Sequence, residues 1–277
     1  MTKAPPAPPP IPKTAAPLRS PKATIPDAVP LTLTSGVIQG GDRIGLYGPS
    51  GVGKSTAAAW LPAAVFLDLE RSTKKIAATR DLVHDWTELR GKVRSFSESP
   101  PDGARSLIID TATVAEELAK EHVIDTRLTE KGKRVDSIEG FGYNKGWQFV
   151  YDEFVALLAD LDRVADQGLN VALIMHDIAA DVPNPDGEDY LAWRPLLYAG
   201  DKRGKANIVK LVTNWLEHLV FVAYDVAVTD NKATGAGTRT AYTLQLPTHV
   251  AKSRTKQFVQ PFTLDAPGAM WSELSII

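Results

Sequence analysis

One short motif constrains the fold of this chain more than any other part of its sequence. Residues 48–55 read GPSGVGKS and match the pattern G-x-x-x-x-G-K-[ST], with the strand-like run RIGLY before them and a helix-like stretch after them. Such a loop forms an anion site because its backbone N–H groups and the following helix point at one centre. The sequence therefore predicts a phosphate-binding loop, made of Gly48, Pro49, Ser50, Gly51, Val52, Gly53, Lys54, Ser55 and Thr56.

Two residues of this loop and one acid further along predict a triphosphate and Mg²⁺ as ligands. Lys54 is expected to reach the β- and γ-phosphates, and the hydroxyl of Ser55 to bind Mg²⁺. The apolar run SLIID ends in Asp110. A carboxylate at the carboxyl edge of a parallel sheet is well placed to hold the magnesium shell, so Asp110 is the second predicted metal ligand.

Two further polar residues end predicted strands. Glu70 closes the run AAVFLDLE, where it could polarise the water that attacks the γ-phosphate, or serve only as a capping or surface acid. His176 closes NVALIMH, where it could bind the γ-phosphate and report its loss, or be a structural histidine. The residues alone leave both choices open.

The rest of the chain predicts one α/β domain behind a proline-rich arm. Residues 1–30 hold ten of the twenty prolines and predict a disordered arm, either passive or docking into an aromatic groove of a partner. From residue 31 to 277, apolar runs alternate with helical stretches, which favours βαβ units and a mostly parallel sheet. The predicted strands are 43–47, 63–70, 106–110, 170–176, 219–228, 239–246 and 257–264. The predicted helices are 113–125, 147–168 and 205–217, and a further one starts at Lys54. Within the polar segment 177–204, Asp186-Gly187 predicts a hairpin turn.

Composition excludes several classes of protein. The chain has no cysteine, which excludes disulfides, thiolate nucleophiles and cysteine zinc sites. It has no apolar run near the roughly 18 residues that span a bilayer, so we expect no membrane partner and a cytoplasmic location. The formal net charge of −2 supplies no general basic field, so nucleic-acid binding would depend on local patches.

The order of five segments resembles a known family. The phosphate loop, FLDLE, LIIDT, ALIMH and the late AKSR resemble the RecA-like ATPases over about residues 31–260. The closest resemblance is to phage-type ATP-binding proteins, a group that includes RecA-like single-strand annealing proteins. It implies a RecA-like P-loop NTPase fold, with a mostly parallel central sheet, helices on both faces and antiparallel C-terminal strands. It also implies ATP hydrolysis with Mg²⁺, Glu70 as catalytic base and His176 as γ-phosphate sensor.

The resemblance extends to a basic pair near the C-terminus. AKSR at 251–254 is similar to the K-x-R of RecA-like ring helicases, where the pair reaches the γ-phosphate of a neighbouring subunit. Lys252 and Arg254 are by that similarity predicted to act on a neighbouring subunit, and the active form is then a homo-oligomeric ring or filament. A solvated basic edge is the alternative.

RecA-like proteins bind single-stranded DNA through two loops, and both have candidates here. The loop within 127–147 mixes basic and aromatic side chains, a composition that suits a single-strand site. The loop within 199–210 is more basic. Either could instead be a solvated loop. The predicted DNA-binding residues are Lys131, Lys133, Arg134, Phe141, Tyr143, Lys145, Lys202, Arg203 and Lys205.

These observations together predict a protein that binds and hydrolyses Mg-ATP and acts on single-stranded DNA in recombination, annealing or replication. Its location would be the host cytoplasm if a phage encodes it. The arm would recruit a single-strand-binding protein or another replication or recombination protein. Two alternatives remain: a P-loop kinase of a small molecule, and a non-enzymatic adaptor that ATP switches and that recruits partners through the arm.

Overall fold

The computed structural model describes residues 30–36, 40–184, 187–201, 204–229, 232–254, 261–264 and 267–276. The chain divides into two units, Met1–Ile38 and Gln39–Ile277. Residues 30–36 of the first unit are exposed and carry no helix or strand. Nearly all of the predicted arm, residues 1–29, lies outside the described residues, so its disorder and the boundary near residue 30 stay predictions.

The second unit is built from strands and helices that mostly alternate along the chain. Its helices are α1 (Lys54–Ala58), α2 (Trp86–Glu98), α3 (Ala112–Thr126), α4 (Lys145–Ala165), α5 (Ile208–Trp215) and α6 (Pro267–Glu273). Its strands are β1 (Arg43–Tyr47), β2 (Ala64–Asp68), β3 (Thr79–Leu82), β4 (Ser106–Asp110), β5 (Asn170–Met175), β6 (Asp177–Val182), β7 (Tyr190–Pro195), β8 (His218–Thr229), β9 (Lys232–Tyr242), β10 (Lys252–Ser253) and β11 (Phe262–Thr263).

Among the described residues, nine strands form one sheet in the order β11-β9-β8-β1-β5-β4-β2-β3, with β10 also paired to β8. The pairs from β8 to β3 are parallel, whereas β9, β10 and β11 join antiparallel. The strands β4 and β5 are buried at every position, as expected for parallel strands covered on both faces. The carboxyl ends of β1, β5, β4 and β2 therefore meet at one edge, where the predicted phosphate loop, Asp110, Glu70 and His176 lie.

Two hydrophobic cores lie on the two faces of this sheet. Leu107 and Ile109 of β4 belong to the core that α2, α3, α4 and α5 cover, whereas Ile108 belongs to the core covered by α1 and α6. Alternate residues of a strand point to opposite faces, so one apolar run supplies both cores. The predicted fold class is confirmed: a mostly parallel central sheet, helices on both faces and antiparallel C-terminal strands.

The sequence prediction missed α6, β6, β7 and β10, and also the regular structure between β2 and β4. Residues 71–105 contain the edge strand β3 and the helix α2. The strand is polar and mostly exposed, so it gave no apolar signal. The sequence of the helix did contain a signal. Asp85 caps the helix by accepting from the backbone N–H of Glu88, and Trp86, Leu89 and Val93 are buried at helical spacing.

The segment after His176 is more ordered than its polar sequence indicated. Strands β6 and β7 form a separate antiparallel pair, with Asp177 opposite Pro195. The predicted turn at Asp186-Gly187 falls between these strands, with Asp186 itself outside the described residues. Trp193 ties the hairpin to the chain before β10, since its N–H donates to Thr248 O at 2.8 Å and its carbonyl accepts from Val250 N at 3.0 Å.

Among the helices in the described residues, none is long and apolar enough to cross a membrane. The strand predicted over 257–264 contains β11 within its described part, residues 261–264, and its part at 257–260 lies outside the described residues.

Candidate nucleotide-binding site

The glycines of the predicted phosphate loop are required by its backbone. Gly48 follows β1 at φ 152°, and a Cβ there would lie 2.0 Å from the carbonyl oxygen of Val222 on β8. Gly53 has φ 103° and begins α1. A side chain at the first position would clash with fixed backbone, and at the second it would be strained, because left-handed φ favours glycine. The loop is thus shaped locally by residues that the motif specifies.

Lys54 lies inside this loop, with 6% of its surface exposed. Its Nζ donates to the carbonyl oxygens of Gly48 at 2.7 Å and Pro49 at 2.9 Å. Burial lowers the pKa of Lys54, and the nearby Asp177 and Asp110 oppose that effect. A cation held beside backbone N–H groups makes this pocket suited to a polyphosphate.

Ser55 and Asp110 meet beneath the loop. Ser55 Oγ donates to Asp110 Oδ2 at 2.8 Å, and Ser72 Oγ donates to the same oxygen at 3.3 Å. The pKa of Asp110 is raised to about 6, mainly by burial and also by the charges of Glu70 and Asp68, while the hydrogen bonds from Ser55 and Ser72 oppose the shift. A hydroxyl and a carboxylate are the hard oxygen donors that Mg²⁺ prefers, so this pair fits a magnesium ion.

Glu70 and His176 form a pair that neither residue indicated alone. Glu70 Oε1 lies 2.8 Å from His176 Nε2 and accepts from the hydroxyl of Thr111 at 2.6 Å. The hydrogen bond from His176 is the main cause that lowers the pKa of Glu70, against the opposing effect of burial. The carboxylate is therefore kept ionised, which is the form that can accept a proton.

Asp68, two residues before Glu70, has a structural role and not a catalytic one. It is fully buried and accepts from the N–H groups of Ser72 and Thr73, both at 3.2 Å, and from the Thr73 hydroxyl at 2.5 Å. These bonds fold the chain after β2 back over the sheet edge, which brings Ser72 to Asp110.

The phosphate loop, Asp110, Glu70 and His176 line one open cavity of about 240 Å³. Six of the nine predicted loop residues contribute to it, together with both predicted metal ligands, the predicted base and the predicted sensor. The lining also includes residues that sequence analysis missed. They are Ser72, Ile76, Thr111 and Ile174. Thr111 had a local signal, because it follows Asp110 and caps α3 by accepting from Val114 N.

The backbone of His176 is bound at the open end of the β6–β7 hairpin, where His176 precedes β6 and Leu196 follows β7. Its N–H donates to Thr113 Oγ1 at 3.0 Å, and its carbonyl accepts from Leu196 N at 2.9 Å. The Thr113 hydroxyl in turn donates to Leu196 O at 3.1 Å. The predicted sensor is thus connected by backbone bonds to the segment that leads into the second candidate DNA loop.

Lys252 and Arg254 lie away from this cavity. Lys252 pairs with Leu219 and Ser253 with His218, next to Ile44 at the amino end of β1, whereas the phosphate loop follows the carboxyl end. Lys252 Nζ and an Arg254 guanidinium N–H both donate to Asn214 O, at 3.4 and 3.2 Å. The two cations point the same way and lie at the edge of the sheet opposite the cavity of their own chain.

The first candidate DNA loop is only partly accessible. Lys131, Lys133 and Arg134 are exposed, and Tyr143 is 99% exposed. Lys145 forms an ion pair with Glu130. Phe141 is 7% exposed and packs edge-on against Phe149 at 5.4 Å, so its ring faces the core in this structure. In the second loop Lys205 is exposed, whereas Lys202 and Arg203 lie outside the described residues.

A pair of stacked rings joins the two candidate DNA loops. Trp147 and Tyr198 stack with centroids 3.8 Å apart and planes 4° from parallel. The Tyr198 hydroxyl donates to Asn144 Oδ1 at 3.0 Å, and its N–H donates to the buried carboxyl of Glu116 at 2.8 Å. Burial raises the pKa of Glu116 to about 7. Residues that sequence analysis did not single out therefore hold both loops together.

A strand, a glycine-rich loop with a buried lysine, and an acid beside the loop serine define a P-loop nucleotide-binding protein. Comparison with known proteins agrees with this class. Residues 41–255 match the model of a family described as an AAA domain, and the chain belongs to this family.

One solved structure shows a weak similarity to this chain. The crystal structure of the RadB recombinase matches at 11% sequence identity and a TM-score of 0.42, over 79% of this chain and 84% of that one. A likeness at this level does not bear on function. No curated protein matches the sequence.

Proposed function

We propose that this protein binds Mg-ATP, hydrolyses it, and uses the cycle to act on single-stranded DNA in recombination, annealing or replication, in the manner of the RecA-like phage-type proteins that its motifs resemble. One observation carries the proposal. A carboxylate kept ionised and a histidine lie 2.8 Å apart beside the phosphate loop, and the histidine backbone is bonded to the segment leading to the candidate DNA loops. Those groups can both cleave a triphosphate and report that it is gone.

The chemistry uses groups already in contact. Lys54 leaves the carbonyls of Gly48 and Pro49 and binds the β- and γ-phosphates, where it offsets negative charge. Ser55 and Asp110 hold Mg²⁺, which when bound neutralises charge on the phosphates. Glu70 takes a proton from the attacking water, and Thr111 orients its carboxylate by the 2.6 Å hydrogen bond.

His176 couples the nucleotide to the loops. Its Nε2 contacts Glu70 in this structure, and a bound γ-phosphate offers it a second anionic acceptor. A change of partner moves the backbone that Thr113 and Leu196 hold on either side. Leu196 lies two residues before Tyr198, whose stack on Trp147 joins the two loops. The bound nucleotide and the DNA loops are thereby linked by a short series of hydrogen bonds and one ring stack.

DNA binding would rest on the two loops and not on the β6–β7 hairpin. The loops offer exposed cations such as Lys131, Lys133 and Lys205, and the first loop also carries the exposed ring of Tyr143 for base stacking. The hairpin carries Asp177, Asp181 and Asp189, which repel phosphate. The proline-rich arm, residues 1–30, is proposed to recruit a replication or recombination protein.

The decisive test is steady-state ATP hydrolysis with and without single-stranded DNA, over a range of protein concentrations. We expect turnover that DNA stimulates and that rises more than linearly with protein, because we propose that Lys252 and Arg254 act as cationic fingers that reach the site of a neighbouring subunit. Turnover indifferent to DNA would contradict the DNA proposal. ATP consumption that needs a small-molecule acceptor would indicate a kinase, and binding without turnover would indicate an adaptor.

A mixing experiment tests the oligomer. Lys252 and Arg254 lie at the sheet edge opposite their own cavity, so we propose that they complete the site of a neighbouring homo-oligomer subunit. Lys54→Ala and Arg254→Ala proteins should each be inactive alone. A 1:1 mixture should regain about a quarter of wild-type activity, because random assembly of a ring or filament pairs an intact loop with an intact finger at that frequency. A mixture as inactive as its components would contradict a finger supplied by a neighbour.

A further inference from the structure

The outer side of the phosphate loop is covered by the hairpin of β8 and β9. The carbonyl of Val222 lies against Gly48, and the Tyr224 hydroxyl lies 3.6 Å from where a Cβ of Gly51 would be. Arg239 Nη1 lies 2.7 Å from the corresponding position at Gly53 and donates to Val52 O at 3.4 Å. The loop is thus flanked by an aromatic ring and a guanidinium that the mechanism above does not use.

Tyr224 and Arg239 are held as a pair by the strands that carry them. They are direct partners in the register of β8 and β9, so their side chains share one face of the hairpin. On the opposite face Asp225 accepts from the hydroxyls of Thr238 at 2.5 Å and Thr240 at 2.7 Å, beside an irregularity between Tyr224 and Val226. These bonds fix the hairpin where it passes the loop.

The direction of the nucleotide follows from the catalytic groups. The predicted base Glu70 follows β2 and the predicted sensor His176 follows β5, and both strands lie on one side of β1 in the sheet. The γ-phosphate therefore lies on that side. A triphosphate bound along the loop then carries its nucleoside toward the other side of β1, where β8 and β9 stand.

We infer that Tyr224 and Arg239 form the nucleobase side of this nucleotide site. The ring of Tyr224, 45% exposed, supplies a face for the base, and Arg239 supplies a planar cation beside it, while Leu264 packs at Gly53 and donates its N–H to Arg239 O at 2.9 Å. Aromatic and guanidinium planes both stack on bases. The inference rests on the proposed ATP site and names which residues hold its nucleoside.

The test separates the nucleoside from the phosphates. Dissociation constants for ATP and for inorganic triphosphate, each with Mg²⁺, are measured by calorimetry for wild type, Arg239→Ala, Arg239→Lys and Tyr224→Leu. We expect each variant to bind ATP about tenfold more weakly and to keep triphosphate binding within about twofold, since only the base contact is lost. Arg105→Ala, which removes an exposed cation at the amino edge of the sheet, should change neither constant.

Each other outcome decides against the inference. Triphosphate binding requires a folded loop, so it reports folding in every variant. Equal weakening of both ligands would make Arg239 a phosphate-side or loop-supporting residue, and unchanged constants would place the base elsewhere while leaving the proposed ATP site intact. Wild-type protein that binds neither ligand would overturn the proposed function itself together with the inference.

Discussion

Replacing Lys54 with alanine should abolish ATP hydrolysis and nearly all ATP binding. The ammonium is buried in the loop, and among the described residues that line the cavity no other lysine and no arginine is present. Without Lys54, no ammonium offsets the negative charge of the β- and γ-phosphates. In other enzymes, removing one group that stabilises charge in the transition state lowers turnover at least about a hundredfold. We expect no measurable phosphate release, and a thermal unfolding midpoint that no longer rises with added ATP as that of wild type should.

The matched control is Lys92→Ala. Lys92 lies on α2 and pairs with Asp81 and Glu88, away from the cavity, and such surface pairs contribute little. This variant should hydrolyse ATP as wild type does and keep the ATP-induced stabilisation. If Lys54→Ala also turned over normally, the phosphate site would have been assigned to the wrong loop.

Local signals explain what the sequence could predict. The loop motif specifies its own backbone, since Gly48 and Gly53 sit where a side chain would clash or be strained. Strands such as β4 and β5 are buried throughout and therefore stand out as continuous apolar runs. Asp110 and His176 were recognised because they end such runs, and the carboxyl ends of parallel strands share one edge.

What the sequence could not predict depends on which strands become neighbours. Glu70 and His176 are 106 positions apart, and their contact follows from the order β5-β4-β2. The Trp147–Tyr198 stack joins two segments that are distant in sequence, and the local sequence pattern of neither segment predicts the contact. Arg239 reaches the phosphate loop only because β9 folds back along β8, and nothing in a single basic residue of a strand indicates that.

The second large effect concerns Glu70. Its carboxylate is ionised, faces the cavity and is oriented by Thr111 and His176. The substitution Glu70→Gln keeps the size of this side chain but removes its basicity. We expect turnover to fall about 10²- to 10⁴-fold, the usual contribution of a general base. ATP binding should stay within about threefold of wild type, because the loop, Lys54 and Ser55 are untouched and only differential stabilisation of the transition state is lost.

Single-turnover phosphate release and equilibrium ATP binding separate the roles open to Glu70. Slow release with intact binding is the expected signature of the base, and the ATP-bound Glu70→Gln protein should then retain its DNA affinity because His176 still meets an intact γ-phosphate. Glu98→Gln, at the exposed end of α2, controls for loss of a carboxylate and should leave both measurements unchanged. Normal release would assign proton transfer to another group. Loss of ATP binding would show that Glu70 acts mainly by holding His176 and Thr111 in place, because a carboxylate needed only for proton transfer has no part in ground-state affinity.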